Sequence, residues 1–254
     1  TTVVDFGVVR IGQVVADRNV TVTNGAAPTA LNDTLAANIA SGGSPFTASG
    51  SASALGAGQS NAPGTLKVGL NTSAAGVFSA GSAQVSFKSQ NPDMADLDLG
   101  SQNVTLKATV NYFARPLFTL LSGFGLTGGG NSFALDLGNL LAGSGLTHLQ
   151  LGLTNGAQGG PQDGLLGSFT AASAGGFSLS GWNPLSSPIE SGDTLAGLMV
   201  DFSALGLGTF TDTIVFHGLS VNASDPTGYA LDDVTLVLRA NVIDGTQTVP
   251  EPGV

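Results

Sequence analysis

The sequence has no cysteine and little charge, and each shortage excludes a class of protein. Without cysteine there is no disulfide framework, although a sandwich of this size buries enough apolar surface without one. Charged residues are 9% of the 254 residues, against about 25% in an ordinary soluble domain. No apolar run approaches the ~18 residues of a membrane-spanning helix. The chain is therefore neither a small protein stabilised by disulfides nor an integral membrane protein with transmembrane helices.

Basic residues are especially scarce. Lysine and arginine together number 7, against 17 aspartates and glutamates, and the net charge is −10. Residues 1–111 hold five cations and six carboxylates, whereas residues 131–254 hold one cation and eleven carboxylates. A protein of this kind lacks the electrostatic footprint of a nucleic-acid or anionic-lipid binder. We expect neither of these as a partner.

The second half of the sequence repeats the first. Asp5-Phe6-Gly7 recurs as Asp136-Leu137-Gly138, and the segment 20–24 recurs as 151–155 at the same offset along the chain. Near the ends, Ala108-Thr109-Val110 recurs as Ala240-Asn241-Val242, with the offset longer by a single position. A register that holds from end to end indicates two copies of one domain.

Apolar and polar residues alternate with a period of two wherever a pattern exists. Leu66, Val68 and Leu70, for example, are separated by Lys67 and Gly69. This alternation is typical of antiparallel strands with one face on a core, and no 3.6-residue period is sustained. It predicts an all-β protein of two tandem immunoglobulin-like antiparallel β-sandwich domains related by internal duplication.

The predicted domains span residues 1–115 and 116–248, with an extended stub at 249–254. Pro116 and the run Gly128-Gly129-Gly130 break regular structure at the junction. The segment Leu117–Leu121 is nonetheless predicted to be a strand that passes from one sandwich to the next.

The chain ends in Val249-Pro250-Glu251-Pro252-Gly253-Val254. One interpretation is an ordinary proline-rich terminus, because proline cannot continue a strand ladder. The segment also resembles the start of the PEP-CTERM sorting signal of exopolysaccharide-producing Gram-negative bacteria, with Pro250, Glu251 and Pro252 as its motif. The two bodies are similar to the choice-of-anchor, Ig-like domains that accompany this signal. The resemblance implies a processed, secreted protein with a surface or matrix role and no attached activity.

Motifs with catalytic meaning are weak. Residues 123–128 fit G-x-G-x-x-G, but Gly129 and Gly130 follow, which forbids the helix that a dinucleotide site needs. His148 and His217, the two histidines, have no ligand-spaced partner. We therefore predict that the protein is not an enzyme and holds no cofactor or metal.

Aspartates cluster in two loops without the spacing of an EF-hand. Solvated turn residues are the favoured interpretation of these clusters, and calcium binding is the alternative. The clusters are Asp93, Asp96 and Asp98, and Asp225, Asp232 and Asp233.

Trp182 is the single tryptophan and lies in the loop sequence Gly181-Trp182-Asn183-Pro184. An exposed ring there would stack on a sugar, and a buried ring would plug one end of the sandwich. Both interpretations are open from the sequence.

The N-terminal strand carries the main functional hypothesis. Soluble β proteins guard sheet edges with lysine or proline, and this chain has few lysines. Its first strand is apolar and β-branched, so we predict a subunit interface at Val3, Val4, Phe6, Val8 and Val9. The predicted function is a secreted structural subunit that assembles with copies of itself, head-to-tail, into an extracellular filament or biofilm matrix by β-strand donation. The alternative is a monomeric cell-surface adhesin or exopolysaccharide-binding module.

Overall fold

The computed structural model describes residues 2–29, 31–172 and 176–245, which form strands, turns and loops but no helix. Accordingly, these residues contain no helix of the length and hydropathy that crosses a membrane. The chain divides into two compact units between Tyr112 and Phe113, here unit 1 and unit 2. Each unit is an immunoglobulin-like sandwich of two sheets, which confirms the predicted fold class.

Unit 1 has a five-stranded sheet in the order β1-β8-β7-β3-β5 and a three-stranded sheet in the order β2-β6-β4. The strands are β1 Thr2–Arg10, β2 Arg18–Asn19, β3 Thr34–Ser41, β4 Phe46–Ser49, β5 Ser51–Leu55, β6 Lys67–Leu70, β7 Gly76–Asn91 and β8 Met94–Asn111.

Unit 2 has a sheet in the order β10-β11-β18-β16-β13, with β17 paired to β16, and a second sheet in the order β14-β15-β12-β9. The strands are β9 Pro116–Ser122, β10 Leu126–Gly129, β11 Ser132–Leu141, β12 Leu146–Asn155, β13 Gly164–Ala172, β14 Phe177–Ser180, β15 Thr194–Ser203, β16 Gly208–Asn222, β17 Asp225–Ala230 and β18 Val234–Ile243.

Each unit has its own core, drawn from both of its sheets. In unit 1, Val68 of the small sheet and Leu66, just before β6, pack with Ile39, Val85 and Leu106 of the large sheet. In unit 2, leucines of β12 and β15 pack with Leu135, Ile214 and Leu236. These side chains are the apolar members of the period-two patterns. Burying each one contributes about 1.5–3 kcal/mol, so the alternation fixes which face of each strand turns inward.

The repeated Asp-x-Gly motif forms the same bulge in both units. β1 runs parallel to β8 and β11 runs parallel to β18, with register shifts after Asp5 and after Asp136. The N–H of Gly7 donates to Asp5 Oδ1, and that of Gly138 donates to Asp136 Oδ1, both at 2.8 Å. The two glycines have φ of 74° and 64°, a left-handed conformation that favours glycine. The sequence repeat is thus a repeat of structure.

The junction strand predicted at Leu117–Leu121 is confirmed as β9. It pairs with β12 of unit 2 and belongs to that unit alone. The division of the chain at Tyr112 places the residues before β9 in unit 2 as well.

Candidate functional site

In unit 2 the segment 113–131, here the cap segment, covers one flank of the sandwich. Its strand β9 pairs with the edge of β12, and its strand β10 pairs with the edge of β11. The N–H of Asp136 in β11 donates to Gly125 O at 3.0 Å. One continuous segment therefore satisfies the backbone at the edges of both sheets, which would otherwise offer unpaired groups to other chains.

Buried polar side chains anchor the start of the cap segment. The N–H of Ala114 donates to Ser220 Oγ at 3.0 Å, and the N–H of Arg115 donates to Asn155 Oδ1 at 2.9 Å. Ser220 in turn donates to Asp163 Oδ2 at 2.9 Å. Asn155, Asp163 and Ser220 are at most 1% exposed. Buried groups of this kind need partners, so the cap segment is part of what makes their burial tolerable.

Unit 1 contains the same polar network, and no strand of the described residues lies over it as the cap segment does in unit 2. Asp33, Ser89 and Asn91 occupy the positions of Asp163, Ser220 and Asn222, because β3 and β13 pair in equivalent registers with β7 and β16. The hydroxyl of Ser89 donates to Asp33 Oδ2 at 2.7 Å, and Asn91 Nδ2 donates to Asp33 Oδ1 at 2.8 Å.

Both unit 1 contacts are exposed, whereas in unit 2 the Ser220–Asp163 contact is buried and the Asn222–Asp163 contact is part-buried. The hydrogen bonds from Ser89 and Asn91 hold the pKa of the Asp33 carboxyl below its ordinary value. Among the described residues, no N–H donates to Ser89 Oγ in the way that Ala114 donates to Ser220. Ser89 Oγ therefore offers the acceptor position that its counterpart in unit 2 uses to bind the cap segment.

The strands beside this network lie at the edges of their sheets. β1 and β2 each end the order of their sheet within the described part of the chain. Asn24, the counterpart of Asn155, accepts a side-chain hydrogen bond from the nearby N–H of Ala26 at 3.2 Å. We call the β1 edge, the stretch 19–24 and the Asp33–Ser89–Asn91 network the open flank.

The predicted interface residues all lie on β1, and the structure divides them. Val3 is 53% exposed, Val4 and Val8 are half-buried, and Phe6 and Val9 are buried in unit 1. β1 pairs along its length with β8 of its own unit. Donation of β1 to a neighbour would expose Phe6 and Val9, whereas addition of a strand beside β1 would leave both side chains in the core.

Trp182 is half-buried at one end of unit 2. Its indole N–H donates to Met199 O at 2.8 Å, and its ring lies 5.2 Å from that of Phe169 and 6.0 Å from that of Phe118. These contacts tie the ring to the core and to the cap segment, since Phe118 belongs to β9. Sugar stacking by Trp182 stays a prediction.

The structure places His217 between a hydroxyl and a carboxylate, which the sequence did not indicate. Nε2 lies 3.0 Å from Thr170 Oγ1, and Nδ1 lies 2.7 Å from Asp233 Oδ1. This is the order of groups in a triad for acyl transfer. However, the His217 and Asp233 side chains are 43% and 55% exposed, so water competes for every proton transfer there. The arrangement is an exposed hydrogen-bonded contact, like that of His148 Nδ1 with Asp201 Oδ1 at 2.7 Å.

The remaining candidates lie in turns, in strands or outside the described residues. The prediction that the aspartates cluster in two loops is wrong in part, because Asp96 and Asp98 lie in β8 and Asp225 begins β17. G-x-G-x-x-G spans the β9–β10 turn and runs into β10, where no helix follows. The described residues contain no group of three histidine, aspartate or glutamate side chains that could hold a metal ion. Pro250, Glu251 and Pro252 lie beyond residue 245, outside the described residues.

The open flank was missed by sequence reasoning, although a signal for its network was present. Asp33, Ser89 and Asn91 recur as Asp163, Ser220 and Asn222, at offsets that agree to within one position with that of the Asp-x-Gly motif. These residues thus follow the repeat already found in the strands. What the sequence did not show is that the contacts among these three residues are exposed in unit 1 and buried or part-buried in unit 2.

Comparisons with known proteins find similar folds among solved structures and nothing beyond the fold. No family model and no curated protein matches the chain. A mutant of CfaE, the CFA/I adhesin of enterotoxigenic E. coli, is 11% identical, with 89% of this chain and 83% of that chain covered and a TM-score of 0.33. CBD12 from CALX1.2 is 7% identical over 92% and 96%, with a TM-score of 0.27. The fibronectin(III)-like modules of Clostridium thermocellum CbhA are 10% identical over 95% and 90%, with a TM-score of 0.21.

Proposed function

We propose that this protein is a secreted structural subunit that assembles head-to-tail into an extracellular filament or matrix, with unit 1 as the acceptor of a neighbouring chain. The observation that carries the proposal is the open flank. It presents the strand edges and the polar network that unit 2 keeps covered with its cap segment.

The β1 edge is suited to accept a strand. β10 pairs with β11 so that the backbone of Ala134 and Asp136 faces the cap segment. The equivalent residues of β1 are Val3 and Asp5, whose backbone groups therefore face away from β8. No lysine or proline guards this edge between Thr2 and Arg10. Addition of a strand here supplies main-chain hydrogen bonds without unfolding either partner.

The charge distribution supports head-to-tail contact. Residues 1–112 hold five cations and six carboxylates, a balance of −1, and residues 113–254 hold two cations and eleven carboxylates, a balance of −9. Contact between two copies of unit 2 brings like charges together, whereas contact between unit 1 and unit 2 does not. Such heterologous contacts that do not close produce open filaments.

The extracellular setting rests on the resemblance of residues 249–254 to a sorting signal and of both bodies to the domains that accompany it. A monomeric adhesin or exopolysaccharide-binding module remains the alternative. The two functions differ in oligomeric state.

Electron microscopy and sedimentation velocity of the purified chain over a range of concentrations test the proposal. We expect filaments or a concentration-dependent series of oligomers. A chain that stays monomeric up to about 100 µM, a concentration at which weak specific contacts form, would refute assembly.

Val3→Pro tests the edge itself. Proline removes the outward N–H of Val3 and sets a ring against an incoming strand, while the pairing of β1 with β8 does not use that N–H. We expect the polymerised fraction to fall at least tenfold with unchanged far-UV circular dichroism. Val14→Pro is the matched control, because Val14 is 95% exposed in a loop of the same unit. Polymers of Val3→Pro equal to those of the control would exclude the β1 edge as the interface.

A further inference from the structure

The outer face of the large sheet of unit 2 carries a groove of about 380 Å³ that the proposed function leaves unassigned. Phe216 of β16 is fully buried, so strand alternation turns His217 and Leu219 to the side of the sheet opposite the core. Their partners in β13, Leu166 and Ser168, lie on the same side. The volume lies within the range of pockets that hold small ligands. We call this feature the unit 2 groove.

One wall of the unit 2 groove is aliphatic, and the other is polar. The aliphatic wall consists of Leu166, Leu219 and Ala230, and the polar wall of Ser168, His217 and Asp233. A carboxylate only accepts hydrogen bonds, so Nδ1 of His217 donates to Asp233 Oδ1 at 2.7 Å. Asp233 Oδ2 has no hydrogen-bond partner among the described residues, and the side chain is 55% exposed. The polar wall therefore offers an acceptor, and a ligand has to bring the donor.

These two walls fit a primary ammonium group on an alkyl stem. The stem packs against Leu166 and Leu219, while the ammonium donates to Asp233 Oδ2 and stays in contact with water. Residues 113–254 have a charge balance of −9, and this field favours a cation over an anion or a neutral ligand. A neutral sugar also brings donors, but none of the described residues that line the groove is Phe, Tyr or Trp, on which a sugar would stack.

Only unit 1 of this chain provides such a side chain, because residues 113–254 contain no lysine. The three lysines are Lys67, Lys88 and Lys107. Lys67 binds Asp17 in an ion pair of 2.9 Å. Lys107 lies across from Asp5 in the β1–β8 pair, in the place that Arg239 takes in unit 2. The ion pair thus accounts for Lys67, and the repeat accounts for Lys107.

Lys88 takes the place in unit 1 that Leu219 takes in unit 2. Its pair with Ala36 of β3 corresponds to the pair of Leu219 with β13. Lys88 is exposed, and its neighbours Ala36 and Ser86 on the same side of the sheet are small, so the lysine projects from a flat surface. Asp98 lies across from it in β8, but no ion pair joins the two in the described part of the chain. Its ammonium group is therefore available to a partner.

We propose that Lys88 of one copy inserts into the unit 2 groove of the next copy and binds Asp233. This inference rests on the proposed function and names a side-chain contact between the copies. Equivalent faces of the two units meet, as in an isologous contact, but one face carries the cation and the other carries the carboxylate. Where unit 2 has Asp233, unit 1 has Ser101. The contact is therefore directional and repeats from copy to copy.

Two variants that each keep one half of the contact test it. Lys88→Gln retains the groove, and Asp233→Asn retains the lysine and an oxygen that accepts from His217. A carbodiimide condenses a carboxylate and an amine in contact into an amide, and neither variant can form the Lys88–Asp233 amide within one chain. We expect covalent dimers joined by this amide in a mixture of the two, at least tenfold above the yield from the doubly substituted chain. Mass spectrometry identifies the amide, and its absence from the mixture would overturn the inference.

Assembly of the single variants supplies a second measurement. We expect the concentration for half-maximal assembly to rise about fivefold for Lys88→Gln and for Asp233→Asn, as fits a partly exposed charged contact. Lys107→Gln and Asp232→Asn are the matched controls, because they remove the same charges outside the contact, and they should stay within about twofold. Unchanged far-UV circular dichroism shows that each variant is folded. Equal shifts for Lys88→Gln and Lys107→Gln would mean that net charge, and not this contact, drives the effect.

n-Butylammonium chloride tests the ligand class without assembly. The chain has two histidines, and His148 contacts Asp201 as His217 contacts Asp233, but His148 does not line the groove. We expect the imidazole proton signals of His217 in NMR spectra to shift with n-butylammonium beyond the change seen with sodium chloride at equal ionic strength. Signals of His148 should not shift in this way. Shifts of neither histidine, or of both alike, would contradict an ammonium site in the groove.

The inference and the proposed function fail separately. Filaments that form equally well from Lys88→Gln, from Asp233→Asn and from the unmodified chain overturn the inference and leave the proposed function standing. Covalent dimers through the Lys88–Asp233 amide without filaments support the contact and contradict the proposed filament. If the dilute unmodified chain forms this amide within one molecule, the lysine fills the groove of its own copy and the inference is wrong.

Discussion

In unit 2, Asn155 and Ser220 each bind a backbone N–H of the cap segment, and both side chains are fully buried. In unit 1, Asn24 accepts from its own loop and Ser89 donates within an exposed network of side chains. The two units share the order of their common strands, the bulges and the polar residues, but they differ in the strands at the sheet edges. A duplicated sandwich need not close both copies in the same way. Among the described residues, this flank is therefore covered in unit 2 and not in unit 1.

The largest expected effect comes from the asparagine pair at this flank. Asn155→Ala removes side-chain hydrogen bonds to Asp163 O and Ile189 O and from the N–H of Arg115 and Nε2 of Gln162, although Ile189 O keeps the N–H of Leu165 as a donor. We expect a loss of about 3 kcal/mol in the unfolding free energy of unit 2.

Asn24→Ala is the matched control in unit 1. It loses two side-chain hydrogen bonds, to Leu55 O and from Ala26 N–H, so we expect about 1–2 kcal/mol. Hydrogen exchange with mass spectrometry in urea resolves both units. Equal losses would mean that the cap segment adds nothing to the stability of unit 2.

A next, smaller effect is expected when unit 2 is made to resemble unit 1. Gly125 has φ of 87°, and a Cβ there would lie 2.1 Å from Asp136 O. Gly125→Ala should therefore separate β10 from β11, at a cost of about 2 kcal/mol. Faster hydrogen exchange of the Asp136 amide in the variant would show that the two strands have separated. Gly129→Ala is the control, because no atom lies within 4 Å of a Cβ at Gly129. Unchanged exchange at Asp136 in Gly125→Ala would contradict the role of β10.

The two bulges should respond alike. Gly7→Ala and Gly138→Ala each place a Cβ at a positive φ, and we expect each to cost about 1 kcal/mol in its own unit. Urea unfolding followed by hydrogen exchange in each unit measures both losses. A difference above about 1 kcal/mol, beyond the usual scatter for matched sites, would show that the repeat is not equivalent at the bulge.

The smallest expected effect is the titration of Asp33. Its folded pKa lies below the ordinary value, so its contribution to stability is present above about pH 4 and is lost as the pH falls through the lowered value. Ser89→Ala removes the main cause and should raise the pKa toward the ordinary range, as read by carbon-13 NMR titration. Ser86→Ala on the same strand is the control. A pKa that does not move would mean that Ser89 does not hold the carboxylate.

Much of the architecture follows from local sequence patterns. The alternation at Leu66, Val68 and Leu70 and the repeat of Asp5-Phe6-Gly7 were enough to predict two sandwiches, because burial fixes strand faces and a left-handed glycine fixes the bulge. The sequence did not reveal that β1 runs parallel to β8, which lies at the far end of the same unit. Nor did it reveal the array around His217, whose partners lie 47 and 16 residues away. Contacts of this kind depend on how sheets fold together, and no short motif records them.

The lysines are distributed unevenly between the two units, so they distinguish one end of the molecule from the other. Lys67, Lys88 and Lys107 are the three lysines of the chain, and all are exposed or half-exposed on unit 1. A gold particle or dye coupled to side-chain amines would therefore label one half of each molecule and leave the other half dark. Along a polymer, such labels would appear once per subunit at a constant offset, and micrographs would reveal its polarity and axial spacing without any engineered tag.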